Sequence, residues 1–183
     1  MKSERITCGA ICTVVYISVF AQRGISVQAT LTAVLLILLF CIAGCDIRKR
    51  VIPPALLWCC AVIHAAQNVV AAISAGSGFF AVAFSRRLFE SFCGAMLTAT
   101  LMICAVFGSE LVLKRKLLGG GDLRLLILLG ACAGAETSLT MLWLVCVFGL
   151  IQAGAALAIN RKNGAFALAP SIFLAAWSAA LLL

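Results

Sequence analysis

Only two aspartates occur in this chain, Asp46 and Asp122, and each stands at the edge of a long apolar run. A carboxylate at such a boundary is costly unless it is paired, hydrated or put to work. Two of them held a few ångströms apart permit a specific chemistry. They cannot both ionise, so one keeps its proton. The ionised partner takes a proton from a shared water, whose oxygen attacks a peptide carbonyl. The protonated partner supports the developing oxyanion and then protonates the leaving amine. Which aspartate holds the proton belongs to the pair as a unit and is not readable from sequence.

The flanking residues suit that chemistry. Gly119-Gly120-Gly121 precedes Asp122. Three glycines remove side-chain bulk, so a substrate backbone can approach the carboxylate. They also discourage a regular helix, which is tolerable where the backbone lines a wet cavity. The plainer reading is a flexible loop in which Asp122 caps the helix that follows. Asp46 leads into Ile47-Arg48-Lys49-Arg50-Val51-Ile52-Pro53-Pro54. A proline suits the first turn of a helix, where its missing N–H is not needed, so a helix is expected to start near Pro54. Taken alone, this stretch is also an ordinary basic loop between two spans.

The elements that must hold these residues are transmembrane helices. Of the 183 residues, 64% are hydrophobic and 11% charged, with a mean hydropathy of +1.19. Soluble domains are nearer half apolar and a quarter charged. Seven runs approach the roughly 20 residues a bilayer core requires. They are about Ile6–Gln22, Val27–Cys45, Pro54–Ser74, Leu88–Leu113, a short and weak one at Leu123–Ala135, then Thr137–Ile159 and Ala165–Leu183. The fold class is therefore an all-α polytopic bundle in a single transmembrane domain, 1–183. The first run follows Lys2 and Arg5 like a signal peptide, but no small-x-small cleavage site follows it, so it is expected to be retained. With the N-terminus cytoplasmic and seven crossings, eleven Lys and Arg fall inside and three outside, namely Arg23, Arg86 and Arg87. That is the bias that sets topology. It puts both aspartates at cytoplasmic helix ends and the C-terminus outside, with turns expected at Gly76-Ser77-Gly78 and Asn163-Gly164.

The net charge of +8 fits basic loops against anionic membrane lipids rather than nucleic acid. Ten cysteines lie in or beside apolar runs with no C-x-x-C pair, so they read as packing residues and not as a zinc module. His64, Gln67 and Asn68 share one helix face, roughly 15 Å and more beyond the cytoplasmic end. That is too deep to serve the aspartates, and they are expected to hydrogen-bond neighbouring helices. Glu110 precedes Lys114 by four residues, a stabilising helical pair. Glu90 and Glu136 read as outer-face residues. Arg48-Lys49-Arg50 and Lys114-Arg115-Lys116 read as topology and lipid anchors.

Taken together, these segments resemble the type IV prepilin peptidases, a family of GxGD aspartic peptidases in prokaryotic membranes. Its members carry an Asp followed six residues on by Ile-Pro, and later a Gly-x-Gly-Asp followed by a basic residue and Leu. Here Asp46 is followed by Ile52-Pro53, and the second motif reads Gly119-Gly120-Gly121-Asp122-Leu123-Arg124-Leu125. A weaker match, Ala165 to Leu174, looks like the family's closing helix with its Phe-x-Pro-Phe-Leu stretch. The resemblance implies a six-helix peptidase core, 27–183, behind an extra N-terminal span, 1–26. It implies Asp46 and Asp122 as the catalytic pair, with Gly119, Gly120, Gly121, Ile52, Pro53 and Arg124 shaping the site. It further implies cleavage of prepilin or pseudopilin leader peptides at the cytoplasmic face of the plasma membrane, with no metal or other cofactor. Pro54 stands where the family usually has Asn, and Arg124 where it usually has Lys. The cytosolic zinc-binding and methyltransferase region of longer members has no counterpart here. The rivals are a presenilin-like protease, whose first Asp lies within a helix, and a small transporter or pilus-assembly factor using the aspartates to bind ions or protons. Cognate substrate and oligomeric state are not encoded in any motif.

Overall fold

The computed structural model describes residues 2–75, 79–113, 119–158 and 168–182, with side chains over 10–75, 79–107, 119–155 and 168–181. Six helices account for nearly all of them: α1 (Lys2–Arg23), α2 (Val27–Lys49), α3 (Pro54–Ser74), α4 (Phe80–Leu113), α5 (Gly120–Ala158) and α6 (Ala169–Leu182). No strand occurs among the described residues. The turns at Gly76–Gly78 and Asn163-Gly164, the cluster Lys114–Lys116, the segment Ala165–Ala167 and the Glu110–Lys114 pair fall outside what is described.

Local chemistry explains the boundaries. Ser26 is extended and its hydroxyl accepts the Ala29 N–H at 3.1 Å, which starts α2. Pro54 occupies the first turn of α3, as expected. α2 runs through Asp46 to Lys49, so the aspartate lies in the last turn of the helix rather than after it. The reason is Arg50. It takes the left-handed conformation (φ 51°, ψ 34°) and donates its N–H to the Asp46 carbonyl at 2.9 Å, closing the helix one turn beyond the apolar run. α4 likewise begins at Phe80, eight residues ahead of its expected start at Leu88.

α5 combines the fifth and sixth apolar runs. Straight, the 36-residue apolar stretch Gly120–Ala155 would measure about 54 Å, against a bilayer core of about 30 Å. It is not straight. Gly134 has φ 76° and ψ 175°, a region open to glycine alone. Leu126, Leu129 and Gly130 line a small void together with Ser138, Met141 and Val145. Leu126 and Val145 would be about 28 Å apart on a straight helix, so the chain folds back at Gly134. The Thr137 hydroxyl donates to the Ala133 carbonyl and Ser138 to the Ala135 carbonyl, taking up backbone groups that the bend frees.

Val27–Lys49, Pro54–Ser74 and Phe80–Phe107 are each long and apolar enough to cross a membrane, and the apolar stretch Gly120–Ala155 of the folded-back α5 joins them. Ala10–Arg23 and Ala169–Leu181 are shorter apolar helices. Large apolar side chains such as Trp58, Phe89, Phe92, Trp143 and Leu150 point outward. A surface of this kind suits lipid and not water. The chain is a multi-pass membrane protein.

Inside the bundle, Val15, Val19, Leu36, Ile42, Leu125 and Ile172 are fully buried. Polar side chains tie helices together as expected: His64 Nε2 lies 3.1 Å from Ser91 Oγ, Asn68 reaches both, and Gln67 donates to Thr32 at 3.1 Å. Trp177 donates to Ser18 at 3.1 Å, joining α6 to α1. On the exposed surface Arg86 and Glu90 form an ion pair at 2.9 Å.

The tightest crossing is α4 on α5. A methyl group on Gly94 would stand 2.7 Å from the Gly134 carbonyl carbon, and one on Gly130 would stand 2.7 Å from Thr98 Cβ. Gly94-x-x-x-Thr98 thus faces Gly130-x-x-x-Gly134, small residues that let two backbones touch. Gly130→Ala should lower stability by about 1–3 kcal/mol through overpacking. Gly154→Ala, where a methyl group meets nothing within 4 Å, should be neutral or stabilise slightly. Equilibrium unfolding in detergent separates the two, and equal behaviour would refute the backbone contact.

Candidate active site

The first aspartate is set by α2. Ile42, one turn earlier, is buried and anchors that end of the helix in the core. Asp46 itself is only 6% exposed. A carboxylate so placed needs donors, and one comes from α6: the Ala169 N–H donates to Asp46 Oδ2 at 3.2 Å. Ala169 opens α6. The Leu168 carbonyl accepts the Ser171 and Ile172 N–H groups at 3.0 and 3.2 Å, and Pro170 in that first turn brings no N–H of its own. The Ala169 N–H has no partner inside its own helix, so Asp46 caps α6 from across the bundle.

The second aspartate is set by α5. The glycines do not break the helix; they begin it. Gly119 is the capping residue, its carbonyl accepting the Leu123 N–H at 3.3 Å, and Gly120 and Gly121 are already helical. Asp122 is therefore the third helical residue and not the cap. Its carboxylate reaches back to accept the Gly119 N–H, the acidic half of a capping box. Helical geometry is affordable here because the first turn lacks internal N–H bonds in any case.

The two aspartates lie at the same end of the bundle, near enough that the Asp46 charge acts on Asp122. Between them runs a steric link. A methyl group on Gly121 would lie 3.3 Å from Ile52 Cβ and 3.4 Å from its Cδ1. Ile52 reaches that point because of the segment already described: the last turn of α2, the left-handed Arg50, then extended residues up to Pro53 (φ −66°, ψ 125°). Six residues from Asp46 to Ile52 is the length this reversal takes. Of the three glycines, Gly121 alone is required by packing. Gly119 would place a methyl 3.5 Å from Asp122 Oδ2, an ordinary contact, and Gly120 faces open space.

Pro53 caps α3 from the backbone, the Leu56 N–H bonding its carbonyl at 3.2 Å. Arg124, two residues past Asp122 and so turned away from it on the helix, is exposed. The structure does not bring it to the aspartates. The Ala169 N–H was not foreseen from sequence; Pro170 marks the start of a helix, but nothing local names the acceptor. Among the described residues, no three His, Cys, Asp or Glu side chains converge as a ligand set for a metal.

The Gly121–Ile52 contact has a measurable signature. Gly121→Val should destabilise by about 1–3 kcal/mol. Combining it with Ile52→Ala should restore about 1 kcal/mol relative to the sum of the single changes. Additive effects in a double-mutant cycle would mean that the two motifs do not touch.

Searches of curated proteins and of solved structures gave no match. A family model, the type IV leader peptidase family, matches residues 33–154. That stretch is two thirds of the chain and contains both aspartates, Ile52-Pro53 and the glycine triplet, while α1 and α6 lie outside it. The features converging at this end of the bundle are those of the resemblance seen in the sequence, and the chain belongs to the type IV leader peptidase family.

Proposed function

We propose that this protein is a membrane-embedded aspartic endopeptidase that removes leader peptides from type IV prepilins or pseudopilins. Family membership implies a peptidase of the leader-processing kind. The observation that supports the aspartic mechanism is the Gly121–Ile52 contact, which brings the segments bearing Asp122 and Asp46 to one end of the bundle, with Asp46 held there by the Ala169 N–H.

Two carboxyl groups brought within reach of one water would share one proton. A water between them gives a proton to the ionised carboxylate as its oxygen adds to the scissile carbonyl carbon. The protonated partner hydrogen-bonds the oxyanion, and the leaving amine takes a proton as the C–N bond breaks. The open side of the first turn of α5, at Gly119 and Gly120, offers room for an extended substrate backbone beside Asp122. Ile52, Pro53 and Gly121 hold the two halves of the site in register, and Arg124 serves the membrane surface.

The basic-residue bias favours the cytoplasmic face for this end of the bundle, family membership favours a prokaryotic plasma membrane, and α1 is read as a retained span ahead of the peptidase core. A substrate there presents a leader segment in water and an apolar segment in lipid.

Asp46→Asn and Asp122→Asn should each lower cleavage of a co-expressed prepilin on the order of 10³-fold or more. Both variants should remain folded, because an amide oxygen can still accept the Ala169 or Gly119 N–H. Immunoblotting of processed and unprocessed prepilin, with membrane-extracted protein as the folding control, reads both. Cleavage at the parental level by either variant would end the dyad mechanism.

A further inference from the structure

The end of the bundle opposite the aspartates holds a cavity of about 330 Å³. Its floor is apolar: Leu36 and Leu129 are 2% and 4% exposed. Higher up, the wall is polar, formed by Thr32, His64, Gln67 and Asn68. These groups bond one another and Ser91. Every buried side-chain N or O atom among the described residues has a hydrogen-bond partner. At the mouth stand two exposed arginines, Arg23 at the end of α1 and Arg87 near the start of α4.

Neither arginine has a carboxylate partner among the described residues. Glu90, three residues from Arg87, is engaged by Arg86 at 2.9 Å, and Glu136 is exposed and not part of the lining. Two guanidinium groups facing one opening, beside a polar wall, form a receptor for an anion. Guanidinium forks match phosphate oxygens in pairs. The volume lies at the small end of ligand cavities, enough for a phosphate-sized group with its waters.

We propose that this cavity is an anion-binding site for a phosphate-bearing group, held at the mouth by Arg23 and Arg87 and by the amides of the wall. The same chemistry is offered by the headgroup of an anionic lipid and by free phosphate. The site lies about 15–20 Å along α2 from Asp46, judged from Leu36 and Thr32, so its occupancy is separable from proteolysis.

The test uses the purified full-length protein in a neutral detergent and reads its thermal unfolding midpoint during titration. Phosphatidylglycerol is compared with phosphatidylcholine, and inorganic phosphate with chloride at matched ionic strength. Protection by phosphatidylglycerol alone assigns the site to a lipid headgroup; protection by inorganic phosphate as well assigns it to a free anion. Arg23→Gln with Arg87→Gln should weaken the apparent affinity by about tenfold or more. Arg86→Gln, which removes one positive charge beside Arg87 but outside the cavity lining, should leave it within about twofold. Equal protection by phosphatidylcholine would overturn the proposal. So would an equal loss in Arg86→Gln, or no loss in the double variant. The lipid comparison in the parent protein stands even if the double variant fails to fold.

Discussion

A carboxylate buried among helices must find donors, and Asp46 finds one on the far side of the bundle. Its bond from the Ala169 N–H joins α2 to α6, elements more than a hundred residues apart. The bond serves both ends. It satisfies an N–H that no helix can satisfy from within, and it fixes a side chain whose misplacement by an ångström would cost any reaction dearly. The remaining site geometry follows from it. α6 is held over the core by Ile172 and Phe173, which packs on Phe40 with ring centroids 5.4 Å apart. α2 is held by Ile42 beneath the aspartate. With that corner fixed, the Arg50 reversal brings Ile52 to Gly121 and so sets where α5 begins.

The bundle spends glycine in two distinct ways. At Gly134 it is conformational: φ 76° and ψ 175° permit a reversal that no other residue adopts cheaply. At Gly94 and Gly130 the need is volume, because a methyl group would strike a neighbouring backbone or side chain, and at Gly121 a methyl group would press against Ile52 at 3.3 Å. Lipid gives helices no hydrophobic reason to associate, so close backbone packing and interhelical hydrogen bonds must supply it. The α4–α5 crossing and the His64–Ser91–Asn68 and Gln67–Thr32 bonds are those two devices in one molecule.

Much of this was legible beforehand. The all-α class, the helix starts at Val27 and Pro54 and the interhelical role of His64, Gln67 and Asn68 followed from hydropathy, turn chemistry and periodicity. The weak fifth run was legible as well, though not its cause: a short apolar stretch ending near Gly134 is the first arm of a helical hairpin. Where the reading failed, nonlocal contacts or backbone conformation decided. Asp46 was placed after its helix because hydropathy falls at Cys45, whereas the helix is closed by the left-handed Arg50, which no composition measure detects. The glycine triplet was read as a break, yet a helix's first turn has no internal N–H bonds to lose, and two glycines lie within it.

The motif spacing can be understood from the same facts. A pair of aspartates could be brought together by many folds, but one link here is steric and short. Gly121 must be bare because Ile52 sits against it, and Ile52 sits there because a turn of helix, one left-handed residue and a brief extended segment reach that far from Asp46. A residue inserted between Asp46 and Ile52 would move the isoleucine by about 3.3 Å and reverse its side-chain direction in the extended segment. Two local geometries joined by one close contact are enough to assemble a site from distant parts of the chain.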